Sequence, residues 1–145
     1  MIDSAPGPIV VGTDFSEASE RALRFAVDIG HALHAPICLL HAYDAPRLTI
    51  GRDDEMQKSF VTWLAKSALE QLQEIVSQYQ STGLSIKSEM HPGDPASELC
   101  RIAADYHAQL IVVGAKGHGA SYHALIGSVA DRVIRNAQTP VVCVP

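Results

Sequence analysis

Residues 8–33 read PIVVGTDFSEASERALRFAVDIGHAL, and this stretch contains the unit from which the fold is built. Pro8–Thr13 is a short β-branched run, the pattern of a strand buried on both faces of a parallel sheet. After Asp14 and Ser16, apolar residues at Ala18, Ala22, Phe25, Ala26, Ile29 and Leu33 recur at helical spacing, so one face of the following helix should cover that sheet. Ala35-Pro36 breaks the helical pattern. Ile37–Ala42 (ICLLHA) then reads as a second buried strand, followed by a polar loop through Pro46 and Gly51.

The same alternation continues to the end of the chain. From about Asp53 to Gln80 the spacing of Val61, Leu64, Ala65, Ala68, Leu72, Ile75, Val76 and Tyr79 predicts one long helix, closed by Gly83. Leu84–Met90 alternates apolar and polar residues, so one face is dry and the strand belongs at a sheet edge. Asp94-Pro95 is a helix start, with Asp94 accepting from unpaired amides and proline already at helical φ, and that helix should run to about His107. Gln109–Val113 is an apolar strand, Val129, Ala130, Val133, Ile134 and Ala137 mark a last helix, and Pro140–Val144 is a final strand without a polar face. The predicted fold is α/β: a three-layer, doubly wound, five-stranded parallel sheet joined by right-handed crossovers.

Length and composition agree with one domain spanning residues 1–145, because 145 residues with 47% apolar and 19% charged content can form a core and lie far from disordered mixtures. The formal net charge of −5 would repel a polyanion, and no run of Lys and Arg makes a basic patch, which excludes nucleic acid and anionic membranes as expected partners. Met1–Pro8 has neither the basic start nor the apolar run of a signal peptide, and no stretch has the apolar length of a membrane helix. Cys38, Cys100 and Cys143 are widely separated and suit buried thiols in a reducing compartment, so a cytoplasmic location is expected.

In a sheet of this kind ligands bind beyond the carboxyl ends of the strands, where strand order reverses. That places two loops at the site: Thr13-Asp14-Phe15-Ser16 after the first strand, and Gly114-Ala115-Lys116-Gly117-His118-Gly119 after the fourth. The second has a regular spacing of Gly114, two residues, Gly117, nine residues, then Gly127-Ser128 at the last helix. Such glycines let main-chain amides approach a phosphate, and a helix start adds free N–H groups and a favourable dipole. No acid interrupts Tyr106 to Ala130, while Lys116, His118 and His123 lie within that gap, which favours an anion. The alternative is a surface connection in which Gly114 merely ends a strand. Neither a GxxxxGK[ST] loop nor a GxGxxG fingerprint occurs, which argues against a P-loop hydrolase and an ordinary dinucleotide enzyme.

The pattern Gly114-x2-Gly117-x9-Gly127-Ser128, the start IVVGTDFSEASERAL and the tail GSVADRVIRNAQTPVVCVP together resemble the universal stress protein family, from Pro8 to Pro145. The resemblance implies strand order 3-2-1-4-5 in an adenine nucleotide alpha hydrolase-like fold, and the ATP-binding branch, whose members keep these glycines. It further implies that Asp14 contacts the ribose or adenine edge beside the backbone of Gly12 and Thr13, and that Ala42 lies by the base. Val113 and Gly114 would line the nucleotide, Lys116 and Gly117 would approach the phosphates, and Gly127, Ser128 and Val129 would bind them; His118, by its place in the acid-free loop rather than by the resemblance, is a further candidate for phosphate contact. Gly12 and Ala42 are smaller than the proline and valine of some nucleotide binders, and Lys116 stands where others carry His or Arg.

Residue by residue, plainer roles stand beside these. Asp14 could equally cap the first helix. His31 and His34 lie about one turn apart without an acid or Cys partner, which suits a solvated face better than a metal site, and His41 should pack or hydrogen-bond within the second strand. Trp63 on the long helix suits a core or partner-facing role. Ser121, Ser128, His118 and His123 share a region but provide no ordered nucleophile and base, so no catalytic residue is assigned; phosphate clamping with Mg²⁺ would allow at most slow ATP hydrolysis. At the end of a 3-2-1-4-5 sheet, Val141, Val142, Cys143 and Val144 form an apolar edge that pairing with a symmetry mate would cover, so a homodimer is expected. The expected function is a homodimeric, ATP-dependent regulator of a stress response acting on an unidentified protein. The alternatives are a dimeric stress protein that does not bind nucleotide and a nucleotidyl-transferring enzyme, the latter disfavoured because no His-x-Gly-His follows the first strand.

Overall fold

A computed structural model describes residues 5–43, 54–117 and 125–145. Among these residues, five parallel strands alternate with four helices: β1 (Ile9–Gly12), α1 (Glu17–Leu33), β2 (Ile37–Tyr43), α2 (Asp54–Gln78), β3 (Ile86–Pro92), α3 (Pro95–Asp105), β4 (Leu110–Gly114), α4 (Ser128–Asn136) and β5 (Val141–Val144). The sheet order is β3-β2-β1-β4-β5, the order that the family resemblance implies, and every pair is parallel, as the alternation of buried strands and helices predicts. Order therefore reverses between β1 and β4, whose register aligns Ile9 with Leu110 and Val11 with Val112.

The central strands separate two apolar layers. On one face, Ile9, Val11, Ile37 and Leu39 pack with Ala22, Leu23 and Ala26 of α1 and Leu72 of α2. On the other, Val10, Leu40, Ile111 and Val113 pack with Leu99 and Ile102 of α3 and Ala130 and Val133 of α4. Leu72 and Val133 have no exposed surface, and each such aliphatic burial is worth about 1.5–3 kcal/mol.

Three expectations change. The long helix stops at Gln78; a 3-10 turn at Gln80–Thr82 follows, and Gly83 takes the left-handed φ of 76° after that turn. The third strand is Ile86–Pro92, because Thr82 Oγ1 donates to Tyr79 and accepts from Leu84 N, which holds Leu84 in the turn. Third, the apolar stripe of α2 reaches the sheet only from Ala68 onward: Leu64 is 39% exposed and Trp63, stacked on Phe60, is 61% exposed. Trp63 is thus not a core residue. β3 and β5 form the two sheet edges, and no helix of the described residues is long and apolar enough to cross a membrane.

Candidate functional site

A cleft opens at the carboxyl ends of β1 and β4, on the α3 and α4 side of the sheet. Gly12, Thr13 and Asp14 enter it from β1, Ala42 from β2, Val113 and Gly114 from β4, Lys116 and Gly117 from the following loop, and Gly127, Ser128 and Val129 from the start of α4. The structure thus brings together every sequence-predicted site residue except His118, which lies, with His123, outside the described residues.

The loop after β1 is tied down at each step. Thr13 N donates to Leu40 O at 2.9 Å, and Phe15 N to Thr13 Oγ1 at 3.0 Å. Asp14 Oδ1 accepts from Ser16 N at 3.0 Å, and Asp14 Oδ2 lies beside Gly117, where a Cβ would collide with it. Ser16, not Asp14, caps α1, its side chain accepting from Ser19 N.

The second wall is closed by main chain. Ala115 N donates to Val144 O at 2.7 Å, and Gly127 N donates to Ala115 O, which draws the start of α4 against the Lys116–Gly117 segment. Gly127 occupies the N-cap position of α4 and supplies no side-chain cap. The first helical amides have no partner within their own helix, and with the helix dipole they make the cleft wall attractive to an anion. Asp14 and Lys116 are the charged residues among the described residues that line the cleft. Two acids that adjoin lining residues in sequence are engaged elsewhere: Asp131, next to Ala130, pairs with Arg135 at 3.0 Å, and Asp94, next to Pro95, with Arg132 at 2.6 Å. The hydrogen bond from Arg132 holds Asp94 down to about 2.

Two glycines of the cleft, one from the spacing and one from β1, serve packing. A Cβ on Gly114 would lie 2.8 Å from the Ala18 backbone, and one on Gly12 would lie 2.8 Å from Leu99 Cδ1. Ser16, which the sequence places in the first site loop, also lines the cleft; sequence reasoning missed Ser19, Leu40, Pro95, Leu99 and Ala130, which line it as well. The apolar spacing of α3 was the available signal for Leu99; Ser19, 5% exposed and bonded to Ser16 O and Thr13 Oγ1, carried none. Three other histidines fall as expected: His31 and His34 are exposed, and His41 bonds Thr13 O through Nδ1 at 2.9 Å. Burial raises the thiol pKa of Cys38 to about 12, and also raises those of Cys100 and Cys143.

The family model described as "Universal stress protein family" matches residues 7–145. This chain belongs to the universal stress protein family. Universal stress protein MJ0531 of Methanocaldococcus jannaschii is 33% identical over 137 residues, covering 94% of this chain and 80% of that protein. Among solved structures, a universal stress protein in complex with cAMP is similar at 29% identity and a TM-score of 0.70, with 98% of each chain covered. The universal stress protein from Archaeoglobus fulgidus in complex with dAMP is similar at 26% identity and a TM-score of 0.71, covering 98% of this chain and all of the other.

Proposed function

We propose that this universal stress protein binds ATP in the cleft between β1 and β4 and acts as a homodimeric, nucleotide-dependent regulator in the cytoplasm. The observation that carries the reading is the start of α4. Its N-cap is a glycine without a side-chain cap, and it opens into a cleft whose opposite wall presents one carboxylate, that of Asp14. Phosphate oxygens would accept from the amides of Ser128 and Val129 and from the Ser128 hydroxyl, with Lys116 adding a cation at the rim. Asp14 would accept from ribose hydroxyls, and Leu40, Ala42 and Val113 would give the base an apolar wall. The two similar proteins holding cAMP and dAMP support an adenine nucleotide as the ligand class.

Bound Mg²⁺ would screen phosphate charge, and the hydroxyl of Ser128, at the phosphate end of the cleft, is the side-chain oxygen that would meet it. Among the described residues no histidine and no acid besides Asp14 lines the cleft, so hydrolysis would be slow at most. The β5 edge, Val141, Val142, Cys143 and Val144, is half-buried and pairs only with β4 among the described residues, which supports assembly with a second copy. Nucleotide state would then pass to a partner protein through the dimer.

Equilibrium dialysis with ATP, AMP and cAMP tests the reading. Saturable uptake of about one ATP per chain is expected, and no saturable uptake at millimolar nucleotide would overturn it. Preference for AMP over ATP would move the ligand to a monophosphate of the same class. Release of pyrophosphate would instead support the nucleotidyl-transferring alternative.

A further inference from the structure

Among the described residues, Phe15, His34 and His107 are the non-glycine residues at positive φ, with values of 64°, 53° and 50°. His34 and His107 lie at the ends of α1 and α3, where a left-handed residue satisfies the last helical carbonyls. Phe15 ends no helix. It follows β1 by three residues and is aromatic, so its left-handed conformation is unfavourable by itself and persists only where the surroundings offset its cost. Such strain gathers where a structure fixes functional geometry.

His41 is what holds it. Its neighbours Leu40 and Ala42 face the cleft, and by the alternation of β2 the His41 ring lies on the opposite face, behind the loop. His41 Nδ1 stands 2.9 Å from Thr13 O, and because a carbonyl only accepts, Nδ1 carries the proton. The Phe15 ring lies against the imidazole with centroids 4.5 Å apart. Asp14 sits between the two gripped residues, its Oδ1 receiving Ser16 N and its Oδ2 facing Gly117.

We propose that His41 is a positioning residue for the cleft: with Phe15 it clasps the Thr13–Phe15 backbone from behind and so aims the Asp14 carboxylate at the ligand. The role rests on reading the cleft as a nucleotide site. It goes beyond that reading, because His41 lies outside the cleft and acts through Asp14.

The test compares wild type, His41→Leu, His41→Asn and Phe15→Gly. ATP affinity is measured by calorimetry, fold by circular dichroism, and the ligand-free loop by ring ¹⁵N shifts and amide exchange. His41→Leu should bind ATP roughly tenfold more weakly, the size of one lost hydrogen bond to an ordered loop. His41→Asn, whose amide N–H replaces Nδ1–H, should recover most of that loss. If His41→Leu fails to fold, Phe15→Gly keeps the donor and removes the ring; it should exchange the Ser16 amide faster and bind ATP more weakly. In ligand-free wild type the His41 ring should be protonated at Nδ1 when neutral. Wild-type affinity in folded His41→Leu or in Phe15→Gly, a folded His41→Asn as weak as His41→Leu, or a neutral ring protonated only at Nε2 would each overturn the clasp. Wild type that takes up no ATP yet shows the Nδ1 proton would overturn the nucleotide reading and leave the clasp standing.

Discussion

Helices α3 and α4 start on the same face of the sheet, and their first turns are finished in opposite ways. At α3 the N-cap Asp94 accepts from Ser97 N at 2.9 Å and from Ser97 Oγ, and it pairs with Arg132. At α4 the N-cap is Gly127, with no side chain to spend on the amides behind it. One helix start is satisfied by its own sequence; the other lines a cleft with donors that an incoming anion would satisfy. Serine or aspartate stabilises a helix start more than glycine does, so the glycine at α4 forgoes a little stability where a ligand would gain.

The largest expected effect comes from making α4 resemble α3. Gly127→Asp should place a carboxylate on the α4 amides, leave thermal stability within about 1 kcal/mol of wild type, and weaken ATP binding by about a hundredfold or more, as repulsion replaces charge-assisted bonds. Gly127→Val should abolish binding in a folded protein, since a Cβ at this position already lies 3.3 Å from Ala115 O and 3.4 Å from Lys116 Cα. Calorimetric titration beside a thermal melt reads both. Wild-type affinity in either folded variant would erase the distinction between the two helices.

Next in size is Gly117→Ala, whose Cβ would fall on the Asp14 carboxylate. Displacing that group should weaken ATP binding about tenfold, the scale of one charged hydrogen bond, and a crystal structure of the variant should show Asp14 turned away.

The converse change at α3 should touch stability and spare the ligand. Asp94→Ala should lower unfolding free energy by about 1 kcal/mol in urea, the usual loss of a side-chain cap, with ATP affinity within about threefold of wild type. Asp94 titrates at about 2 in the folded chain against an ordinary 3.8. Because the unfolded chain then binds the proton more readily, the contribution of Asp94 is complete above about pH 4 and fades as pH falls toward 2. The stability gap between wild type and Asp94→Ala should therefore narrow over that interval; a constant gap would mean that the charge of Asp94 contributes nothing.

The smallest effect belongs to Lys116, an exposed cation. Lys116→Ala should weaken ATP binding only severalfold, and the difference should shrink at high salt, because solvent-exposed charge is screened.

Much of this contrast was legible in the sequence, because its signals are local. Asp94-Pro95 announces a capped start, Gly127-Ser128 an uncapped one, and the β-branched runs at Ile9–Gly12 and Leu110–Gly114 mark strands whose carboxyl ends carry the loops. What escaped depends on packing across the sheet. Nothing in the motif distinguishes Gly114, which makes room for Ala18, from Gly117, which makes room for Asp14. The apolar spacing of α2 does not say that its first half stays exposed, since periodicity marks a face without naming what covers it. Ser19 reads as a surface serine of a helix start, yet it is buried against Thr13 and Ser16. β3 begins two residues late because a turn held by one threonine hydroxyl intervenes, a contact no propensity records.

The measurement that bears most directly on the cleft is a crystal structure of wild-type protein grown with saturating ATP. Phosphate oxygens should lie within hydrogen-bond distance of the amides of Ser128 and Val129, with Asp14 beside the sugar. An empty cleft, or a nucleotide whose phosphates turn away from the first turn of α4, would contradict the assignment.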